Sequence, residues 1–509
     1  MTNGMCRLMK KLLAAAMAAC LLLVTCSCSG AGDETEPCSD TAGTEPATEQ
    51  TVVSAGILKI AYNASDSMDP FEAETTGNCQ ILNLLYDTLF KLDSSYRLSE
   101  NIGSTWEKDG NTVRVKLRSG VKFTDGSEVT AGDVVYSFNR AKAGKRYASM
   151  LSDISAYADG ELDVVFTYSE YNRYGENLLI FPVVKADTLI GTGRYTLDSQ
   201  DGGTSMFANE EWFGGNVPVR EIQLISVSGT NELYRSYLNG DINFAYFDFS
   251  DGNERRLGGS VKSVPLNNFV YMGINSKSPA LSEPYVRRAI YHGCDMSALT
   301  SDAFGSCGIS STTPFNPSWY EFVGEMWSST QTYSADAARE LLSVAGYSQV
   351  DASGIRSDGN TSLTFKMIIN SDNMFRVNCA NAIAQQLLNI GISVNVVELS
   401  WEDYTEAIRN GDYDLYIGEV LIKPDMDLSA LLESGGGASF GITFPNQASD
   451  AYSSFAQGNL TLSEFVSSFN EYMPFVPICY RAGSIVSSAG FTSNAQPSES
   501  DVFLNIQDW

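Results

Sequence analysis

LTFKMIINSDNMFRVNCANAIAQQLLNIGISVNVVEL, residues 363–399, changes its hydrophobic period twice. Leu363 to Ile369 is a short run of large apolar residues, the pattern of a buried strand. Ala380, Ile383, Ala384, Leu387 and Leu388 then recur at spacings of three and four, which gives a helix one apolar face, and Gly391 follows as a stop in the left-handed conformation. Ile392 to Leu399 is a second extended run. Strand, helix and strand in this order make a βαβ unit, whose two strands run parallel. Trp401 to Arg409 adds a helix and Tyr413 to Ile417 a third strand, so this half of the chain is α/β. Ligands of such open sheets sit beyond the carboxyl ends of the strands. The loops after Ile369 and Gly418 are therefore candidate ligand contacts.

Outside this unit the signals agree. Asn111 to Arg118 alternates Val113, Val115 and Leu117 with Arg114, Lys116 and Arg118, a strand with one wet face. Thr130 to Asp133 reads as a capping box before Val134, Val135 and Phe138. Ser334 reads as the cap of a helix carrying Ala338, Leu341, Leu342 and Ala345, with Gly346 ending it. A chain of 509 residues with 43% hydrophobic content implies two or three domains. Its charge of −28 repels a nucleic-acid backbone, so no nucleic-acid partner is expected. One histidine excludes sites built from several imidazoles, which removes most zinc hydrolases.

The N-terminus is read as a targeting segment. Arg7, Lys10 and Lys11 precede the uncharged run Leu12 to Val24, a secretory signal over residues 1–27. Small residues lead to Cys28, the expected lipidation site, with Cys26 the second choice behind the bulkier Thr25. Cleavage before Cys28 removes three bases and no acid, which takes the charge to −31. Residues 28–54 are rich in Gly, Ala, Thr, Glu, Asp and Pro, too poor in apolar surface to order themselves, and read as an acidic tether. Six cysteines remain, Cys38, Cys79, Cys294, Cys307, Cys379 and Cys479, without a C-x-x-C spacing, so no metal cluster is expected. Cys294 and Cys307 are the closest pair, and export permits disulfides.

KLRSGVKFTDGSEVTAGDVVYSF, residues 116–138, resembles the signature of the family 5 extracellular solute-binding proteins, the oligopeptide, dipeptide and nickel binders of ABC importers. Asp69-Pro70, Leu85 to Leu89, Gly191 to Tyr195, Tyr237 to Ile242, Val286 to Ile290 with Asp295, and Leu387 to Gly391 follow in the family's order. The resemblance covers about residues 56 to 509. It implies a periplasmic-binding-protein-like fold of cluster C: two lobes that close on a solute, with an additional domain. By that likeness lobe I takes residues 55–77, 183–266 and 475–509, the additional domain 78–182, and lobe II 267–474, with the hinge where the chain crosses near 267 and 474. The implied function is capture of a solute, a peptide or peptide-like molecule, by a lipid-anchored, extracytoplasmic monomer. The solute would pass to an ABC permease with its ATPases, without catalysis or cofactor.

Peptide binders of this family usually carry a Gly-Trp-x-x-Asp-Tyr-Pro-Asp-Pro stretch, whose first aspartate pairs with the peptide's amino terminus. Here Gly418 and Pro424 align Ile422 with that aspartate, which weakens the peptide assignment. Glu419, Asp425 or Asp427 would have to replace it, or Lys423 marks a ligand with an acidic group. Asp425 and Asp427 also fit a turn followed by a helix cap. Thr75 to Asn78, Asn370, Asn373, Trp401 and Phe440 are the other cleft candidates, the two aromatic residues reading equally as packing. His292 beside Cys294 reads as structural, and no metal site is expected. A metal chelate or an oligosaccharide is the alternative solute. A secreted hydrolase working through carboxylates is the alternative class, although no H-E-x-x-H stretch is present.

Overall fold

The computed structural model describes residues 56–198, 204–324, 333–488 and 490–509. The expected signal at 1–27, Cys28 and the tether at 28–54 lie outside the described residues.

The βαβ unit forms as read. Thr364–Asn370 pairs in parallel with Ser393–Leu399 along its whole length, and on its other side Met367 and Ile368 pair with Leu415 and Tyr416. The intervening helix, Met374–Leu388, starts at Asn373, whose side chain accepts from the Arg376 N–H. Its buried face is Phe375, Val377, Cys379, Ala380, Ile383 and Leu387, whereas Leu388, expected inside, is half exposed. The stripe is turned toward Phe375, which stacks on Phe304 at 5.5 Å. The strand expected to stop at Ile417 continues as Leu415–Leu421, because an antiparallel neighbour pairs with it from Asn268 to Ile274.

That neighbour is one of two long strands that hold the molecule together. Ser260–Ile274 and Phe475–Ser487 run antiparallel and side by side. Residues 269–273 pair with 475–480 beside Leu415–Leu421, in the lobe II sheet. At the other end, residues 484–487 pair with both 260–263 and the lobe I strand Phe244–Phe247. Through this pair the strands of both lobes belong to one eleven-stranded sheet. Between the halves, the first strand carries an irregularity from Pro265 to Phe269.

In lobe I, Leu58–Tyr62 lies parallel to Glu221–Ser226 and to Phe244–Phe247. Gly103–Asp109, Thr112–Leu117, Asp163–Tyr168 and Ile154–Ala158 form a separate four-stranded antiparallel sheet. Val113, Val115 and Leu117 are buried and Arg114 and Lys116 exposed, as the alternation requires. The capping box is present: Thr130 accepts from the Asp133 N–H, and Asp133 accepts from the Thr130 N–H at 2.9 Å, ahead of the helix Ala131–Ala143. This sheet shares one hydrophobic core with lobe I, since Val113, Phe138 and Phe166 cluster with Leu58, Ile60 and Ile222. A second core fills lobe II and takes in Tyr237, Ile242, Phe247 and Phe249 of lobe I.

Buried charge ties the chain ends of lobe I together. Arg194, 1% exposed, pairs with Asp501 at 2.6 Å and donates to the Phe503 and Asn83 carbonyls. An arginine without such partners at this depth would be severely destabilising. Cys294 and Cys307, the closest pair in sequence, are both free thiols, as are Cys79, Cys379 and Cys479.

Candidate functional site

Parallel pairing puts the carboxyl ends of three strands on one edge of each lobe. In lobe II these ends are Asn370, Leu399 and Leu421; in lobe I they are Tyr62, Ser226 and Phe247. The loops that follow meet. Gly252 of lobe I lies so close to Asn373 that an added Cβ would fall 2.7 Å from its side-chain carbon, and Arg481 donates to the Phe249 carbonyl at 2.6 Å. The lobe I edge encloses a cavity of about 340 Å³ lined by Tyr62, Asn63, Thr75, Ser228 and Asp248 among others. This places the cleft where open α/β sheets bind ligands.

Thr75 lines that cavity, and its hydroxyl donates to Asp66 at 2.5 Å. Asn78 is fully buried; its amide donates to the Asn63 and Ser67 carbonyls and accepts from the Asn63 N–H, which braces the loop. Asn370 and Asn373 are buried at the lobe II edge, one accepting from the Asp372 N–H, the other capping the helix. Trp401 is 56% exposed and stacks on Tyr404. Phe440 is partly buried against the lobe II core.

Glu419, in the strand Leu415–Leu421, sits between two arginines. It pairs with Arg376 at 2.8 Å and Arg481 at 3.5 Å and accepts from Asn268 at 3.1 Å. Two guanidiniums against one carboxylate leave a net positive charge, and the Nε atoms of both arginines are buried without a partner. Sequence reasoning missed Arg376, Arg481 and Asn268; a charge inside the apolar run Phe475–Ser487 was the available signal.

Ile422 is 2% exposed; its N–H donates to the Asn267 carbonyl at 2.9 Å. With Lys423 it lines a second cavity, of about 500 Å³, which also meets Tyr86, Tyr96, Tyr147 and Glu499. Asp425 is buried and accepts from Asn172 at 2.7 Å; burial and neighbouring Asp427 push its carboxyl up to about 6. Asp427 accepts from Tyr452 at 2.6 Å and from the Ser429 N–H and hydroxyl, the turn-and-cap geometry. Neither acid lines the cavity that holds Ile422; both line another, of about 500 Å³, with Asn172 and Tyr452. Among the described residues no group of three or more His, Cys, Asp or Glu is placed to hold a metal, and no helix is long and apolar enough to cross a membrane.

Residues 95–439 match the family described as bacterial extracellular solute-binding proteins, family 5 Middle. The oligopeptide-binding protein AppA of Bacillus subtilis is 24% identical over 430 residues, 78% of each chain. The glutathione-binding protein GsiB of Escherichia coli is 24% identical over 368 residues, 65% of this chain and 67% of that one. Among solved structures, the unliganded open form of the periplasmic murein tripeptide binding protein MppA superposes with a TM-score of 0.72 at 18% identity, covering 88% of this chain and 97% of the other. The Brucella suis NikA structure in complex with Fe(III)-EDTA reaches 0.65 at 16% identity, over 88% and 99%. The fold is thus the two-lobed α/β architecture of cluster C periplasmic binding proteins.

Proposed function

The chain belongs to the bacterial extracellular solute-binding proteins of family 5, and we propose that it captures a peptide or peptide-like solute between its lobes and delivers it to an ABC permease. The observation that carries this reading is the pair of strands Ser260–Ile274 and Phe475–Ser487, which join the lobes and face their strand ends toward one cleft. We place the hinge at 265–269 and 480–484, with the antiparallel sheet as the additional domain. Thr75, Asn370, Asn373, Trp401 and Glu419 line or flank the cleft; a solute touching both edges would favour the closed state. Peptide is preferred to metal chelate because the named relatives include peptide and glutathione binders. Lipidation at Cys28, export and a monomeric state complete the proposal.

The test is a thermal-shift titration of the full chain, freed of retained solute, against a peptide panel, followed by mass spectrometry of the peptides. A saturable shift with the peptide intact is expected, about 2.7 kcal/mol of stabilisation at a hundredfold excess over Kd. Shifts by sugars alone would overturn the peptide assignment; cleaved peptide would overturn the binding role.

A further inference from the structure

We propose that Glu499 receives a positively charged group of the solute, an ammonium such as the free amino terminus of a peptide. The proposal rests on the solute-capture reading and adds the chemistry recognised. Glu499 lines the cavity of about 500 Å³ that holds Ile422 and Lys423 of lobe II. Its Oε2 accepts from the Tyr96 hydroxyl and the Asn267 N–H, each at 3.1 Å, both neutral donors. Among the described residues no cation lies within 4.0 Å of its carboxylate, and Oε1 has no partner.

The other acids of this wall are answered. Asp87 accepts from Trp212 at 2.9 Å and faces Lys91 at 3.6 Å; Asp501 pairs with Arg194; Asp93 accepts from the Ser95 and Arg97 N–H groups. Arg146 and Lys423 line the same cavity with no carboxylate within 4.0 Å among the described residues, which leaves room for the opposite end of a zwitterion. Tyr86 and Tyr147, raised by burial, stay neutral there at ordinary pH. Asn267 belongs to the irregular stretch at the hinge, its carbonyl accepts from Ile422, and its amide donates to the Lys423 carbonyl at 3.3 Å. A cation at Glu499 therefore sits where both lobes meet, the position that couples binding to closure. Burial, partly offset by the two donated hydrogen bonds, pushes the Glu499 carboxyl up to about 7. Ammonium binding should weaken as pH falls below that value, because protonation removes the charge that attracts it.

The test uses the full chain freed of retained solute, E499Q, a set of tri- to pentapeptides with free or acetylated amino termini, and n-butylammonium. Glutamine keeps an oxygen for Tyr96 and Asn267, and an unfolding curve checks that the variant folds. Wild type should prefer free-amine peptides by about tenfold or more at pH 8, E499Q should lose the preference, and wild type should lose it at pH 5. A preference retained by E499Q, or absent from wild type, overturns the proposal. If no peptide binds wild type, the peptide reading fails alone and n-butylammonium decides. A saturable shift in wild type missing from E499Q supports the anchor; equal shifts, or none, overturn it.

Discussion

Glu419 and Glu499 both stand where the lobes meet, and their surroundings treat the same functional group in opposite ways. Glu419 is clamped between two guanidiniums and an amide, its charge more than matched. Glu499 has two neutral donors and a cavity in front of it. The difference separates structure from reception. A matched carboxylate holds the cleft in shape, while an unmatched one carries a desolvation cost that a ligand's charge can relieve.

The sharpest way to break the comparison is to remove the matched acid. E419Q leaves Arg376 and Arg481 facing each other without an anion, a loss of about 3 kcal/mol or more in urea unfolding. Adding Arg376→Gln should restore part of it; no restoration would mean that Glu419 does not act through the arginines. Glu499 should behave in reverse. Its folded pKa of about 7 lies above the ordinary value of 4.5, so its contribution to stability is complete below 4.5 and is lost as pH rises through 7. Wild type should therefore weaken relative to E499Q by roughly 2 to 3 kcal/mol between pH 4 and pH 8; a difference that does not change with pH would place a cation on Glu499 after all. Gly252→Ala comes third. Its φ of +73° and the 2.7 Å approach to Asn373 set the alanine against the close meeting of the two loops. About 1 to 2 kcal/mol is expected, read as weaker solute binding and a larger radius in small-angle scattering. Trp401→Ala should cost less than about 1 kcal/mol in folding, since the ring is mostly exposed, and yet lower solute affinity several-fold; unchanged affinity would remove Trp401 from the cleft.

What the sequence made legible follows from range. The βαβ unit, the Thr130 capping box and the Thr112–Leu117 alternation are written in neighbouring residues, so periodicity and caps recover them. Leu415–Leu421 runs past the Ile417 end expected from its own residues because a strand nearly 150 positions earlier keeps it extended. The charge pairs were beyond reach for the same reason. Arg376, Glu419 and Arg481 come from a helix and two strands, and Glu499 lies in an acidic stretch that looks solvated until Tyr96 and Asn267 are brought to it. Asp425 and Asp427 stand between these cases: the turn-and-cap bonds are local and legible, whereas the bonds from Asn172 and Tyr452 come from distant parts of the chain.

The Arg194 to Asp501 pair sets an order of events in time. The two residues are 307 positions apart, and the guanidinium also needs the Phe503 carbonyl. At the usual pace of synthesis, about 5–20 residues per second, Arg194 waits roughly 15 to 60 s for the partners that make its burial tolerable. Lobe I cannot finish until Asp501 and Phe503 have emerged, so a chain emerging N-terminus first keeps its first-made lobe open long after its earlier residues are made.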